Sequence, residues 1–470
     1  MYNIIYQILI LIIPLITLPY ISRRLGTEGV GIYSFSYSIV YYFMMFAMIG
    51  FNNYGNRTIA KSRDNIEQLT KNFKEIHSLQ TITSIIMIAL FNIFVIFNNS
   101  EYKFIFFLQS LHVWSCMFDI NWFFFGIEEF KITVVRNMII KVLSLICIFI
   151  FVNNANDVWK YTLILSSSIL ISQLALWPIV KKKIDTKLIF KKDIKKHIIP
   201  CLKLFLPVIA VTIFKIMDKT MIGVFSNIVQ VGLYENAEKI INVPIALITA
   251  IGTVMLPKMS NIYSKKSENE KATEIINNSL KAVMFLSFAM AFGVFCVSRD
   301  FSIFFFGEQF KDSGIIIQYL SITIIFLAWG NVIRTQYLIP NEMDREYIIS
   351  AFLGAFVNLI LNIIFIPKYG AIGACIGTIF AEFFVMLYQT LAVRKKIPVI
   401  KYLYNVLPFF MKSIIMFLII YPVCFLRFNS VIKMAMQIIL GIVIYMILNM
   451  KYILSIINFK KSIGIKNTKE

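Results

Sequence analysis

The sequence predicts an all-α polytopic membrane protein of about fourteen transmembrane helices, arranged as two six-helix pseudo-repeat lobes and two further C-terminal helices. Three observations carry that prediction. They are apolar runs long enough to cross a bilayer, positive charge gathered in alternate loops, and an internal repeat. A spanning helix needs about 20 mostly apolar residues, and such runs recur along all 470 residues. Hydrophobic residues make up 59% of the chain and the mean hydropathy is +0.76. A soluble core could not hide that much apolar surface.

The runs fall at 3–22, 30–51, 79–97, 103–125, 137–152, 159–179, 203–224, 232–256, 281–298, 313–337, 347–366, 370–392, 407–426 and 431–450. The longest connections, near 52–77, 180–203 and 257–280, could form at most short surface helices. Binding or chemistry must therefore lie within the bundle or at its rims. The expected division is an N-terminal lobe 1–180, a basic linker 181–202, a C-terminal lobe 203–396, and two extra helices with a basic tail 397–470.

The net charge is +21. About 31 of the 46 Lys and Arg fall in one set of alternate loops plus the C-terminal tail, chiefly 57–74, 181–203, 258–281 and 451–469. Positive residues stay on the cytoplasmic side, so both termini are expected inside, with 153–156 and 226–229 outside. The charge thus reads as topology and contact with anionic lipid. No basic stretch carries the aromatic platform that nucleic-acid binding uses, so no nucleic-acid partner is expected. The first run lacks a positive n-region and a small-residue cleavage site, and reads as a retained helix. The six cysteines show no metal-ligand or redox spacing and read as small buried hydrophobes, so no metal is expected.

The repeat supports the two-lobed plan. Val30-Gly31-Ile32-Tyr33 recurs as Val231-Gly232-Leu233-Tyr234, and Ile49-Gly50 has a counterpart in Ile251-Gly252. Arg57 and Lys258 follow Gly31 and Gly232 at the same distance. The repeat covers an even number of spans, so both halves enter the membrane in one orientation. Substrate sites in such folds lie between the halves, near the midplane.

Charges inside spans are costly and mark candidate sites. Arg23 and Arg24 stand at the outer end of the first span. Lys215, Asp218 and Lys219 share one face of the seventh, at i, i+3 and i+4. Glu235, Glu238 and Lys239 repeat that spacing on the eighth. One reading of this cluster is a water-filled cationic vestibule for a phosphate-type anion. The other is a set of structural pairs locking the two helices together. Glu382 lies midway along the twelfth span with no cation nearby in sequence, and Asp119 lies in the fourth beside Trp114 and Trp122. Each is a candidate for coupling to a proton or sodium gradient, with Lys215 the competing partner for Glu382. His112 reads as a hydrogen-bonded bundle residue rather than a proton relay.

No Walker motif, HExxH, GxSxG or acidic pair on an outer loop is present. Direct use of ATP, hydrolysis and glycosyl transfer therefore lack machinery, and neither an enzymatic role nor a cofactor is expected.

Several motifs carry a resemblance. The stretches are Pro19-Tyr20-Ile21-Ser22-Arg23-Arg24-Leu25-Gly26, Tyr54-Gly55-Asn56-Arg57 and Asn121-Trp122-Phe123-Phe124-Phe125-Gly126, then Asp218-Lys219-Thr220-Met221-Ile222-Gly223, Tyr234-Glu235-Asn236-Ala237-Glu238-Lys239 and Pro367-Lys368-Tyr369-Gly370-Ala371. Together they resemble bacterial polysaccharide-transport proteins, the oligosaccharide flippases of the MATE-like MOP superfamily. The resemblance implies transfer of an undecaprenyl-diphosphate-linked oligosaccharide across the bacterial inner membrane for capsule, O-antigen or a related glycan. It also implies membrane lipids, a cognate glycan polymerase and an ion gradient as partners. Arg23 and Arg57 match positions that face the central cavity in related flippases, which singles them out as diphosphate ligands. The rivals are a cation-coupled multidrug exporter of the same fold, against which the cationic cluster argues, and a membrane glycan polymerase, for which a sizeable outer loop is missing.

Overall fold

The computed structural model describes residues 2–188, 192–265 and 269–455; the side chains of 2–12, 192–193, 207, 210–211, 214–215 and 269 lie outside that description. Among the described residues the structure is helical and without strands. The helices in order are α1 (Tyr2–Met48), α2 (Phe51–Ser62), α3 (Ile66–Phe97), α4 (Lys103–Phe118), α5 (Asn121–Gly126), α6 (Phe130–Phe151), α7 (Val158–Leu174), α8 (Trp177–Lys181) and α9 (Ile198–Phe225). They continue with α10 (Ile228–Ser264), α11 (Asn269–Phe306), α12 (Ser313–Ser321), α13 (Thr323–Ile333), α14 (Asp344–Tyr369), α15 (Ala371–Val393), α16 (Val399–Ile420) and α17 (Ser430–Leu448).

Eleven helical stretches among the described residues are long and apolar enough to cross a membrane. Fourteen runs are compatible with this. The first two runs join in α1 through a kink at Gly26, whose φ of 69° suits glycine and few other residues. The run at 103–125 is not one helix, because α4 stops at Phe118 and α5 restarts at Asn121. Asp119 causes the break. Its Oδ1 accepts from the Asn121 backbone N–H (3.0 Å) and side-chain amide (2.7 Å), an Asx turn competing with helix. The run at 313–337 stays one helical stretch, Ser313–Leu338, with Ile322 between α12 and α13 itself helical (φ −63°, ψ −33°) and a π-helical turn at Arg334–Leu338. Large apolar side chains such as Ile93, Ile96 and Phe97 of α3 and Ile438, Ile439 and Ile442 of α17 stay exposed. Such faces need lipid rather than water around them.

The described residues divide into two compact units. One takes Met1–Glu235 and Leu361–Ala374, the other Asn236–Ile360 and Cys375–Glu470. In the first, α1 packs on α3, α4, α6 and α9, α4 on α7, and α2 on α5. In the second, α11 is the hub for α12, α13, α16 and α17, and the Tyr445 hydroxyl donates to Phe285 O at 2.9 Å. The division falls beyond the linker at 181–202 because the start of α10 is tightly joined to α1. A Cβ on Gly31 would lie 2.0 Å from Ile228 O, and one on Gly232 would lie 2.0 Å from Thr27 O. Each repeat glycine thus meets the residue one turn before the other glycine. The repeated motif is a mutual helix crossing that only small residues permit.

Candidate functional site

The site begins at the rim formed by α2, α3 and the start of α9. Two of the resemblance motifs pack on each other there. Gly55 of α2 lies against the Trp122 ring and Gly126 against Ile59, so close that a Cβ on either would fall within 2.6 Å of its neighbour. The fully buried Trp122 donates its Nε1–H to Gln80 Oε1 (2.9 Å) and Asp119 O (3.1 Å). With Phe51, Gly55 and Ile59 committed to this packing, helical spacing turns Tyr54, Arg57, Thr58 and Lys61 to another face of α2. That face lines a cavity of about 650 Å³, completed by Gln68 and Asn72 of α3 and by Lys196, His197, Pro200 and Lys203.

A buried clamp fixes the linker side of this cavity. The Tyr54 hydroxyl meets His197 Nδ1 at 2.7 Å, and His197 Nε2 meets Glu75 Oε2 at 2.9 Å. Lys196 Nζ lies 2.8 Å from the same carboxylate oxygen. Burial outweighs the attraction of Glu75 and holds the His197 imidazole below its ordinary range. A neutral ring satisfies both contacts, with Tyr54 donating to Nδ1 and Nε2–H donating to Glu75. Among the described residues, no carboxylate lines the cavity itself.

A second cavity of about 360 Å³ lies further along the same two helices. Asn52 and Asn53 of α2 and Phe205, Val208 and Thr212 of α9 line it, with Tyr41, Asp119 and Gln173. Behind Asp119, Asn121 bridges to Arg136. The Asn121 amide donates to Asp119 Oδ1, and Arg136 Nη2 donates to Asn121 Oδ1 at 2.9 Å. Arg136 also donates to Ser172 O at 2.9 Å. The Asp119 carboxylate therefore reaches the cavity with a guanidinium two hydrogen bonds away.

The charges on α9 and α10 are arranged differently. Asp218 is buried and accepts from the Tyr234 hydroxyl (2.5 Å) and Asn362 Nδ2 (2.7 Å). Lys219 pairs with Glu235 at 2.9 Å. Thr220 donates to Ser38 Oγ at 2.8 Å, tying α9 to α1. Glu238 and Lys239 follow on α10 in the second unit, as does Glu382, half-buried on α15. The side chain of Lys215 lies outside the described residues. Arg23 and Arg24 are exposed; Arg24 donates to Asn153 O at 3.3 Å and lies over the Tyr20 ring. Arg57 lines the 650 Å³ cavity, and Arg23 lines neither that cavity nor the deeper one. The helical stretch from Gly26 to Met48, about 33 Å long at 1.5 Å per residue, separates their positions in the chain.

His112 departs from expectation. It is fully buried, packs edge-on to Tyr37 with centroids 5.1 Å apart, and has no hydrogen-bond partner for either ring nitrogen among the described residues. Sequence reasoning also missed Lys61, Glu75, Lys196, His197 and Lys203 as site residues. Their shared location needs three separate segments to meet, and no local motif announces that.

A family model described as polysaccharide biosynthesis protein matches residues 1–263. The chain belongs to that family. Over 388 residues it is 22% identical to a putative O-antigen transporter of Shigella dysenteriae, covering 81% of this chain and 96% of the relative. A putative O-antigen transporter of Escherichia coli K12 is 21% identical over 388 residues, covering 82% and 93%. Among solved structures, the lipid II flippase MurJ in an inward closed conformation aligns with a TM-score of 0.80 at 17% identity, covering 96% of this chain and 99% of the other. An inward-facing multidrug resistance MATE family transporter of the MOP superfamily aligns at 0.63 and 15% identity, covering 83% and 95%. The fold expected from the sequence is therefore the observed one. Family and apolar helices together make this chain a multi-pass membrane protein of the polysaccharide biosynthesis family, and the relatives it resembles are named as transporters and flippases.

Proposed function

We propose that the protein flips undecaprenyl-diphosphate-linked oligosaccharide repeat units across the bacterial cytoplasmic membrane by alternating access, for capsule, O-antigen or a related surface glycan. The observation that carries this reading is near-full-length likeness to proteins named O-antigen transporters, on a fold shared with a lipid II flippase. The cavities support it. The deeper one offers amides, hydroxyls and one carboxylate to a sugar, while the rim offers cations to a diphosphate. Lys- and Arg-rich loops face the cytoplasm in this reading, and both termini lie inside. Arg57 meets the diphosphate on the inner side and Arg23, with Arg24, on the outer side. Asp218, Lys219 and Glu235 serve as framework between α9 and α10. Asp119 and Glu382 are the carboxylates proposed to sense a proton or sodium gradient.

The test is export of the glycan in a strain lacking the chromosomal copy. Arg23→Ala and Arg57→Ala should each cut export at least tenfold while the protein accumulates normally in the membrane. Lys at either position should rescue partly, because it keeps the charge and loses the bidentate fork. Normal export by both Ala variants would overturn the assignment.

A further inference from the structure

The inner rim separates its cations into two kinds. Arg63, Lys74 and Lys183 each have an acid at hydrogen-bond distance: Glu128 at 2.6 Å, Asp185 at 2.5 Å and Glu129 at 2.6 Å. Lys196 is held by Glu75. Arg57, Lys61 and Lys203 line the 650 Å³ cavity and have no such partner among the described residues. Among the described residues, three cations without an acid partner, the Thr58 hydroxyl and the lack of a lining carboxylate make a donor set that suits a doubly charged oxyanion. A merely solvated positive face needs neither a cavity nor the sorting of acids away from it.

Position adds a second argument. Going from Lys203 to Thr212 along α9 is about 13 Å at 1.5 Å per residue, and Thr212 lines the deeper cavity. On α2, Asn52 and Asn53 line the deeper cavity, whereas Arg57 and Lys61 line the rim. The same pair of helices therefore leads from a cationic mouth to a polar interior.

We propose that this mouth is a phosphate-binding loading site, in which Arg57, Lys61 and Lys203 hold the phosphate or diphosphate of a lipid before its head group passes inward. The Tyr54–His197–Glu75 clamp holds the linker so that Lys203 faces Arg57 and Lys61 across the cavity. The phosphate site follows from the geometry alone; the claim that its occupant is the transported lipid diphosphate rests on the flippase reading. A membrane phospholipid head group offers the same chemistry.

The experiment measures binding of undecaprenyl diphosphate and, separately, of phosphatidylglycerol to the full chain in phosphatidylcholine nanodiscs, by native mass spectrometry. Lys61→Gln with Lys203→Gln should weaken binding at least tenfold. Lys61→Arg with Lys203→Arg should bind as the parent does. Lys395→Gln with Lys401→Gln, which removes two exposed charges from the other unit, should change affinity less than twofold. A loss for the diphosphate alone supports a substrate-loading site. A loss for both probes, or for phosphatidylglycerol alone, supports a phosphate site used by membrane lipid. Unchanged binding of both probes, or an equal loss in the Lys395/Lys401 control, would overturn the proposal. Intact binding with failed export in Arg23→Ala would separate this site from the wider transport reading.

Discussion

Two charged clusters in the first unit look alike in composition and differ in what their charges do. On α9 and α10, Asp218, Lys219 and Glu235 are spent on Tyr234, Asn362 and one another. At the rim, Arg57, Lys61 and Lys203 surround space. The first cluster was conspicuous in the sequence because its residues sit at i, i+3 and i+4 on single helices. Its charges nevertheless find their partners on neighbouring helices, Lys219 with Glu235 and Asp218 with Tyr234 and Asn362, and a cluster that partners itself has less left for a ligand. The second cluster is assembled from α2 and the start of α9, which lie far apart in the chain. A site whose charges must stay free is better built from segments that bring like charges together, with the acids sent elsewhere.

The largest effect expected from this contrast is on stability. Asp218→Ala removes the acceptor for two buried donors, the Tyr234 hydroxyl and the Asn362 amide. Each of these buried hydrogen bonds contributes about 1–3 kcal/mol, so the apparent melting temperature in nanodiscs should drop sharply. The Lys61/Lys203 double change should shift stability by less than about 0.5 kcal/mol, as surface substitutions do. If the two variants melted alike, the distinction between framework and free charge would be lost.

The helix crossing beside the framework cluster should show the next largest effect. Gly31→Ala would put a Cβ 2.0 Å from Ile228 O, a backbone atom that cannot swing aside. Overpacking of this kind costs about 1–3 kcal/mol. Gly293→Ala on α11 is the control, because nothing lies within 4 Å of its added Cβ. There the better helix propensity of Ala, about 1 kcal/mol, should show as equal or greater stability. Thermal unfolding of the two variants side by side decides the matter. A stable Gly31→Ala protein would mean that α1 and α10 can separate freely.

These sites also show what a sequence can and cannot reveal about such a protein. The helices were legible because bilayer thickness dictates the length of an apolar run. Where the reading slipped, at 103–125, a local polar device overrode hydropathy: Asp119 and Asn121 make a turn inside an otherwise apolar stretch. The Val-Gly-x-Tyr repeat was visible as a match of letters, but its meaning was not. Only coordinates show that Gly31 and Gly232 meet the neighbouring turn of each other's helix. Arg57 could be singled out from its motif, whereas Lys203 and His197 could not, since nothing in the linker marks which of its basic residues turns toward α2.

The smallest effect expected is a pH dependence of the clamp that shapes the rim. His197 is buried between the Tyr54 hydroxyl and Glu75, with Lys196 on the same carboxylate. Burial lowers its proton affinity below the ordinary value of about 6.5. Below that pH the unfolded segment binds a proton that the folded clamp resists. Stability from this group is therefore fully present above about pH 6.5 and declines as pH falls toward the lower folded value. The slope cannot exceed about 1.4 kcal/mol per pH unit for one proton. Carboxylates ordinarily titrate near 4, so a window from pH 7.5 to 5.5 isolates the imidazole. Amide exchange across 194–200, corrected for intrinsic rates, should show protection falling over that window in the parent protein. His197→Gln should be less protected throughout and flat with pH. A parent protein equally protected at both ends, or a Gln variant with the same pH slope, would show that His197 is not the group that holds the linker against α2 and α3.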